Sequence, residues 1–153
     1  MNIGDIIYFG SDVYNGLSNN DVLFFEKSDD HTYKKGVACI YIGAINDELY
    51  FLPIFSDDNS ISRIYVEPTK TNKLLSKGVV AFDHIIKKNF YYMEKIGYIP
   101  AIKLYEIYRQ ILEFYKNNGY EDNQDINTLL FLINEYIDEF EYCKKKGFYK
   151  KRW

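Results

Sequence analysis

The chain has 153 residues, of which 47% are hydrophobic and 27% are charged, and its formal net charge is −3. This composition predicts an ordinary soluble globule of one domain, residues 1–153, and the charge argues against indiscriminate nucleic-acid binding. The chain lacks the run of about 18 apolar residues that a transmembrane helix requires. Residues 1–5 lack the basic start of a signal peptide, so no membrane association is expected.

The two cysteines, Cys39 and Cys143, lie far apart, and no Cys/His spacing resembles a zinc site. We therefore expect no metal, no cofactor and a reducing, cytoplasmic setting. Cys39 falls in an apolar segment and is predicted to be a buried thiol.

The charge is unevenly distributed along the chain. Residues 1–67 hold 11 acidic and four basic residues, residues 68–153 hold 11 acidic and 15 basic ones, and the last eleven residues hold six bases and no acid. Local basic patches would therefore have to hold a polyanion. The 16 Tyr and 11 Phe residues suit core edges and base stacking alike.

The first two thirds of the chain predict strands. The first strand is predicted at residues 3–9. Residues 12–30 are predicted to be a long connection that contains one short strand or helical turn at 22–25. Residues 37–42 predict a buried strand, Asn46 and Asp47 a tight hairpin turn, and residues 49–54 the return strand. Pro53 predicts an edge or terminal position for that strand.

The remainder changes from strand to helix patterns. Short strands are predicted at residues 61–66 and 78–82, a loop or short helix at residues 68–77, and a strand or turn at residues 89–94. Apolar residues then recur at helical spacing from 102 to 115, between Pro100 and Gly119. A second helix is predicted from about 125 to 145, ended by Gly147. Strands followed by helices indicate an α+β fold with a small, mostly antiparallel sheet or barrel.

A candidate site follows from the predicted hairpin. A basic turn with Tyr33, Lys34 and Lys35 enters one strand, and Ser56 leaves the next. If these strands pair, the four residues approach each other at one end of the sheet. Their side chains can handle a phosphodiester without a metal, because lysines supply positive charge and hydroxyls donate hydrogen bonds.

The same segments resemble the ToxN/AbiQ family (CptN/ToxN-like), the toxins of type III toxin–antitoxin systems. The resemblance rests on Thr32-Tyr33, the strand at residues 37–42, residues 50–56 and the segment from Gly78 to Ile86. It implies an SH3-like barrel related to MazF and Kid, and a metal-independent, sequence-selective endoribonuclease acting in phage defence or plasmid maintenance. It also implies two partners, cellular mRNA and a repeated pseudoknot RNA antitoxin that the toxin processes, within a closed protein–RNA assembly.

The resemblance places the family's Thr-Tyr pair on Thr32 and Tyr33 and its basic residue on Lys34 or Lys35. Its Pro-apolar-hydroxyl-Ser turn falls on residues 53–56, where Phe55 replaces a hydroxyl residue. Asp57 and Asp58 stand where the family has Pro-Lys, so the lysine after the serine is missing.

Histidine is a natural acid–base group because it changes charge near neutral pH. His84 is a candidate to replace the missing lysine as a catalytic residue, and His31 to contact RNA; the alternative for each is a surface or strand-end histidine. RNA contacts are also predicted for Thr32, Phe55 and a set of basic and aromatic residues, with a solvated surface as the alternative. This set comprises Lys70, Lys73 and Lys77 in one basic loop, Lys87 and Lys88 in another, and Lys144, Lys145, Lys150 and Trp153 near the C-terminus.

Two other functions fit the sequence. Residues 3–8 resemble the opening strand of MazF/PemK-type mRNA interferases, which are inhibited by a protein antitoxin. The other alternative is a non-catalytic RNA-binding module.

Overall fold

A computed structural model of the protein describes residues 1–10, 23–26, 33–55, 63–89 and 94–147, without the side chains of residues 10, 23–26 and 33–36. The chain divides into two compact units, Met1–Ile99 and Pro100–Trp153. Every described strand lies in the first unit, and both described helices lie in the second. This order confirms the predicted α+β class.

The first unit is built on one curled antiparallel sheet. Its described strands follow the order β5-β6-β4-β3-β1-β8, while β2 pairs with β3 and β7 pairs with β4. The strands are β1 (Asp5–Gly10), β2 (Leu23–Glu26), β3 (Tyr33–Ile45), β4 (Glu48–Phe55), β5 (Tyr65–Val66), β6 (Gly78–Val80), β7 (Ile86–Lys88) and β8 (Glu94–Tyr98).

A long hairpin of β3 and β4 forms the centre of this sheet. Asn46 and Asp47 connect the strands with φ values of 50° and 67°. Hairpins with two-residue loops favour positive φ at both loop residues, because that turn matches the right-handed twist of the strands. Asn and Asp tolerate this conformation better than most residues. The predicted hairpin is confirmed.

The predicted edge position of the strand that contains Pro53 is wrong. β4 lies between β3 on one side and β6 and β7 on the other. Pro53 falls between the β4 residues that pair with β7, which end at Phe51, and those that pair with β6, which begin at Ile54. The proline carbonyl accepts a hydrogen bond from Ala81 N at 2.9 Å. A central strand can hold proline here because the missing N–H faces an interruption between two ladders.

The core of the sheet is aromatic and aliphatic. Phe51 is fully buried, and its ring contacts Phe9 edge-on at 5.0 Å and Tyr41 at 5.5 Å between centroids. Offset and edge-to-face ring pairs of this kind are favourable beyond the area that they bury. Residues 37–43 of β3 are all buried, which confirms the predicted buried strand and the buried thiol of Cys39.

Two segments predicted as turns or loops are strands. Residues 33–35, interpreted as a basic turn, begin β3, and Lys87 and Lys88 belong to β7. The segment at 22–25, predicted as a short strand or a helical turn, is represented by strand β2. Of the strand predicted at 61–66, residues 65 and 66 form β5. The two missed segments contain adjacent lysines in place of apolar β-formers, so no local strand signal marked them.

The second unit contains helices α1 (Ala101–Asn118) and α2 (Gln124–Lys145), close to their predicted bounds. Gly119 follows α1 with φ 69°, and the Asn123 side chain caps α2 by accepting from Ile126 N at 3.0 Å. Tyr105 stacks on Phe140 at 4.5 Å between centroids and joins the two helices. Neither described helix combines the length and apolarity needed to cross a membrane.

Candidate functional site

The ends of β3 and β4 that the sequence singled out lie at the same end of the sheet. Ala38 pairs with Ile54 in antiparallel register, so the start of β3 lies beside the end of β4. The start of β3 also pairs with β2, with Tyr33 opposite Glu26 and Lys35 opposite Phe24. Ser56 follows Phe55 directly in the chain. The strand pairing on which the candidate site depended is therefore present.

His84 is held at this same end of β4. The segment that carries it is anchored to β4 by the bond from Ala81 N to the Pro53 carbonyl, and His84 N donates to the Ala81 carbonyl at 3.1 Å. The imidazole lies against the Phe55 ring, with 5.4 Å between centroids and 54° between planes. The His84 side chain is 48% exposed. A histidine predicted from residue type alone thus stands beside the last described residue of β4, open to solvent.

Asp83 is a potential functional residue that the sequence reasoning did not assign. One carboxylate oxygen of Asp83 lies 3.5 Å from Nε2 of His84. A carboxylate beside one ring nitrogen can orient the imidazole. The only signal in the sequence is adjacency, and adjacent side chains commonly diverge in a strand or a turn.

Phe55 occupies a different environment from that expected of an RNA-stacking residue. Its side chain is 6% exposed and belongs to the core cluster with Phe51 and Ile86. Little of the ring remains for stacking on a base. The Phe55 ring instead contacts the imidazole of His84.

The basic loop at residues 67–77 is held by a buried asparagine, a second residue that the sequence reasoning missed. Asn72 is 3% exposed. Its side-chain oxygen accepts from Thr69 N at 2.9 Å and from Leu74 N at 3.0 Å, while its amide nitrogen donates to the Glu67 carbonyl at 2.8 Å. Buried polar side chains are stable when satisfied in this way, and they fix the backbone around them.

The predicted RNA-binding lysines differ in their partners. Lys77 lies 3.8 Å from Glu67 and 4.2 Å from the centroid of the Tyr65 ring. Lys87 lies 3.4 Å from Glu48. Lys88 is partly buried, and its ammonium group acts electrostatically on the thiol of Cys39. Burial raises the pKa of that thiol well above its usual range. The positive charge of Lys88 opposes this rise. Lys144 and Lys145 are exposed in the last turn of α2, in the second unit.

Several predicted site residues lie outside the described residues. These are His31, Thr32, Ser56, Lys150 and Trp153, together with the side chains of Tyr33, Lys34 and Lys35. Their predicted roles stay predictions. Within the described part of the chain, no group of three or more His, Cys, Asp or Glu side chains is arranged to hold a metal ion.

The chain was compared with protein-family models, with curated proteins and with solved structures. None of the three comparisons found a match.

Proposed function

We propose that the protein is an endoribonuclease that cleaves RNA at the sheet end where β3 begins and β4 ends. The observation that carries this proposal is the placement of His84 beside Phe55, at the end of the strand that leads into Ser56. His84, the start of β3 with its tyrosine and two lysines, and the end of β4 belong to one end of one sheet, and Ser56 is the next residue of the chain after β4.

The chemistry follows from what metal-independent RNA cleavage requires. The 2′-OH attacks the adjacent phosphorus, its proton is removed, the departing 5′-oxygen is protonated, and negative charge grows on the phosphoryl oxygens. His84 exchanges one of these protons, and Asp83 orients its imidazole ring. Lys34 and Lys35 stabilise the developing charge, Ser56 donates a hydrogen bond to a phosphoryl oxygen, and Tyr33 orients a base or donates a proton. The product carries a 2′,3′-cyclic phosphate.

The biological setting that we propose comes from the family resemblance. The curled sheet is proposed to be an SH3-like barrel of the MazF/Kid kind, and the protein to be the cytoplasmic toxin of a type III toxin–antitoxin system. In this proposal a repeat pseudoknot RNA is both substrate and inhibitor, cellular mRNA is the target, and toxin and RNA form an oligomeric assembly.

The test is cleavage of RNA by purified protein in the presence of EDTA, with the product ends mapped. Sequence-selective cleavage that leaves 2′,3′-cyclic phosphates is expected. A variant with Lys34→Gln, Lys35→Gln and Ser56→Ala is expected to lose both cleavage and growth inhibition. If this triple variant stays as toxic as the wild type, the assignment of the site is wrong.

The material that copurifies with the protein separates the proposal from its rivals. A short repeated RNA is expected. A small acidic protein would instead indicate a MazF/PemK-type interferase, and RNA binding without cleavage of any tested RNA would indicate a non-catalytic module.

A further inference from the structure

Among the predicted RNA-binding lysines of the first unit, two differ from Lys77 and Lys87 in their surroundings. Lys70 and Lys73 are exposed, and neither has a carboxylate partner among the described residues. Lys77 and Lys87 are equally basic by residue type, but both lie within 4 Å of a glutamate. An ammonium group already paired with a carboxylate gains less from a phosphate, because the existing ion pair must be broken or shared.

Lys70 and Lys73 are also carried by a braced backbone. The loop between Glu67 and Leu74 is held internally by Asn72. It is fastened to strand β8 by a hydrogen bond from Tyr98 N to the Thr71 carbonyl, at 2.9 Å. Gly97 permits this approach, because a Cβ atom at that position would lie 2.3 Å from the Thr71 carbonyl oxygen. The backbone that carries the two cations is thus fixed on the sheet, so binding does not have to order the loop.

Lys73 adopts an unfavourable backbone conformation. Its φ is 57°, and apart from the hairpin residues Asn46 and Asp47 it is the only described non-glycine residue with positive φ. Lysine gains nothing from this conformation, whereas glycine would adopt it without strain. Backbone strain of this kind is often retained where the side chain has a function.

We infer that Lys70 and Lys73 form a second phosphate-binding pair, apart from Lys34 and Lys35 at the proposed cleavage site. This pair holds the backbone of single-stranded RNA, while Lys77 and Lys87 contribute less. The identity of the ligand as RNA rests on the proposed function. The selection of these two lysines rests on their exposure, their lack of described partners and their braced loop.

The test measures binding of the full chain to a fluorescent, mixed-sequence 2′-O-methyl oligoribonucleotide over a potassium chloride titration. This probe lacks the nucleophilic 2′-OH, so binding is measured without cleavage. Plots of log K against log salt have a negative slope. For single strands, each lost phosphate contact makes that slope less steep by about 0.7. The slope of the variant Lys70→Gln/Lys73→Gln is therefore expected to be less steep than that of the wild type by about 1.4. The charge-matched control Lys103→Gln/Lys116→Gln, on α1, is expected to keep the wild-type slope.

Lys73→Gly gives a second readout that a structural role would not produce. This change relieves the positive φ and removes the cation, so an unchanged or higher melting temperature together with weaker binding is expected. An unchanged salt slope in the Lys70/Lys73 variant, or an equal loss in Lys77→Gln/Lys87→Gln, would overturn the inference. Failure of the wild type to bind the probe would also overturn it. Binding through these lysines without cleavage of ordinary RNA would refute the proposed activity alone.

Discussion

Among the described residues, the hydroxyl of Tyr108 is the one buried side-chain oxygen or nitrogen atom without a hydrogen-bond partner. The side chain is fully buried on α1, and its ring packs edge-on against Tyr136 at 5.1 Å. Burial raises the pKa of this phenol well above its usual range. An unsatisfied buried hydroxyl costs about 1–3 kcal/mol.

Tyr108→Phe is therefore expected to leave the free energy of unfolding unchanged or to raise it by about 1 kcal/mol. Tyr136→Phe is the matched control, because the Tyr136 hydroxyl donates to the Ala101 carbonyl at 3.0 Å. The control is expected to lower the free energy of unfolding by about 1 kcal/mol. Urea unfolding followed by circular dichroism measures both. A larger loss in Tyr108→Phe than in Tyr136→Phe would show that the Tyr108 hydroxyl has a partner.

At the residue scale, the sequence identified chemical types but not their surroundings. It pointed to His84 because few side chains exchange protons near neutral pH. It could not assign Asp83 a role, since the 3.5 Å approach to Nε2 depends on the turn that follows β6. Asn72 was missed for a related reason: a polar residue in a polar segment is expected at the surface, and its burial depends on a docked loop.

Among the elements, the contact between the basic loop and β8 depends on the absence of a side chain at Gly97. A Cβ atom there would lie 2.3 Å from the Thr71 carbonyl oxygen and 2.9 Å from that of Asn72. Both neighbours are backbone atoms, which move only if the loop moves. The loop can therefore dock only on glycine.

Gly97→Ala is expected to lower the free energy of unfolding by about 2 kcal/mol or more, through overpacking. Thr71→Ala is the control, because it retains the carbonyl that accepts from Tyr98 N, and we expect a loss of less than about 0.5 kcal/mol. Chemical denaturation measures both variants. Equal stability of Gly97→Ala and the wild type would mean that the loop does not rest on β8.

Element prediction succeeded where the signal was local. The hairpin at Asn46-Asp47 and both helices follow from residue types within one short window. The edge position inferred from Pro53 failed because β4 has two partners on one side, β6 and β7, whose ladders leave Leu52 and Pro53 between them. The sequence of β4 does not show where the ladders of its neighbours end and begin.

At the scale of the whole molecule, the buried thiol of Cys39 and the phenol of Tyr41 predict how the free energy of unfolding changes with pH. Burial raises the pKa of Cys39 well above its usual range, and it also raises the pKa of Tyr41. A raised pKa means that the folded state keeps a proton that the unfolded state releases. Stability is therefore full below the unfolded pKa of the thiol, about 8.5, and falls as pH rises above it.

The wild type is expected to lose up to about 1.4 kcal/mol of unfolding free energy per pH unit above about pH 8.5 from Cys39 alone. Cys39→Ala starts less stable because it leaves a cavity, but its decline between pH 8.5 and 9.5 is expected to be shallower. Urea unfolding across this range provides the comparison. Parallel declines in the two proteins would exclude Cys39 as the source.

The α+β class and the order of strands before helices could be predicted for the whole chain, because they depend only on where the hydrophobic period changes. The division into two compact units could not, since no linker-like composition marks residues 99 and 100. The candidate site was predictable as a pair of strand ends. The ring contact between His84 and Phe55 required the fold.

The proposed activity is tested most directly by the initial rate at which His84→Gln cleaves a labelled RNA in EDTA. General acid–base catalysis contributes about 100-fold or more, so a rate loss of at least about 100-fold is expected. The melting temperature should be nearly unchanged, because the side chain is 48% exposed. Lys103→Gln, on α1, should cleave at the wild-type rate. Cleavage by His84→Gln within a few-fold of the wild-type rate would contradict a catalytic site at the end of β4.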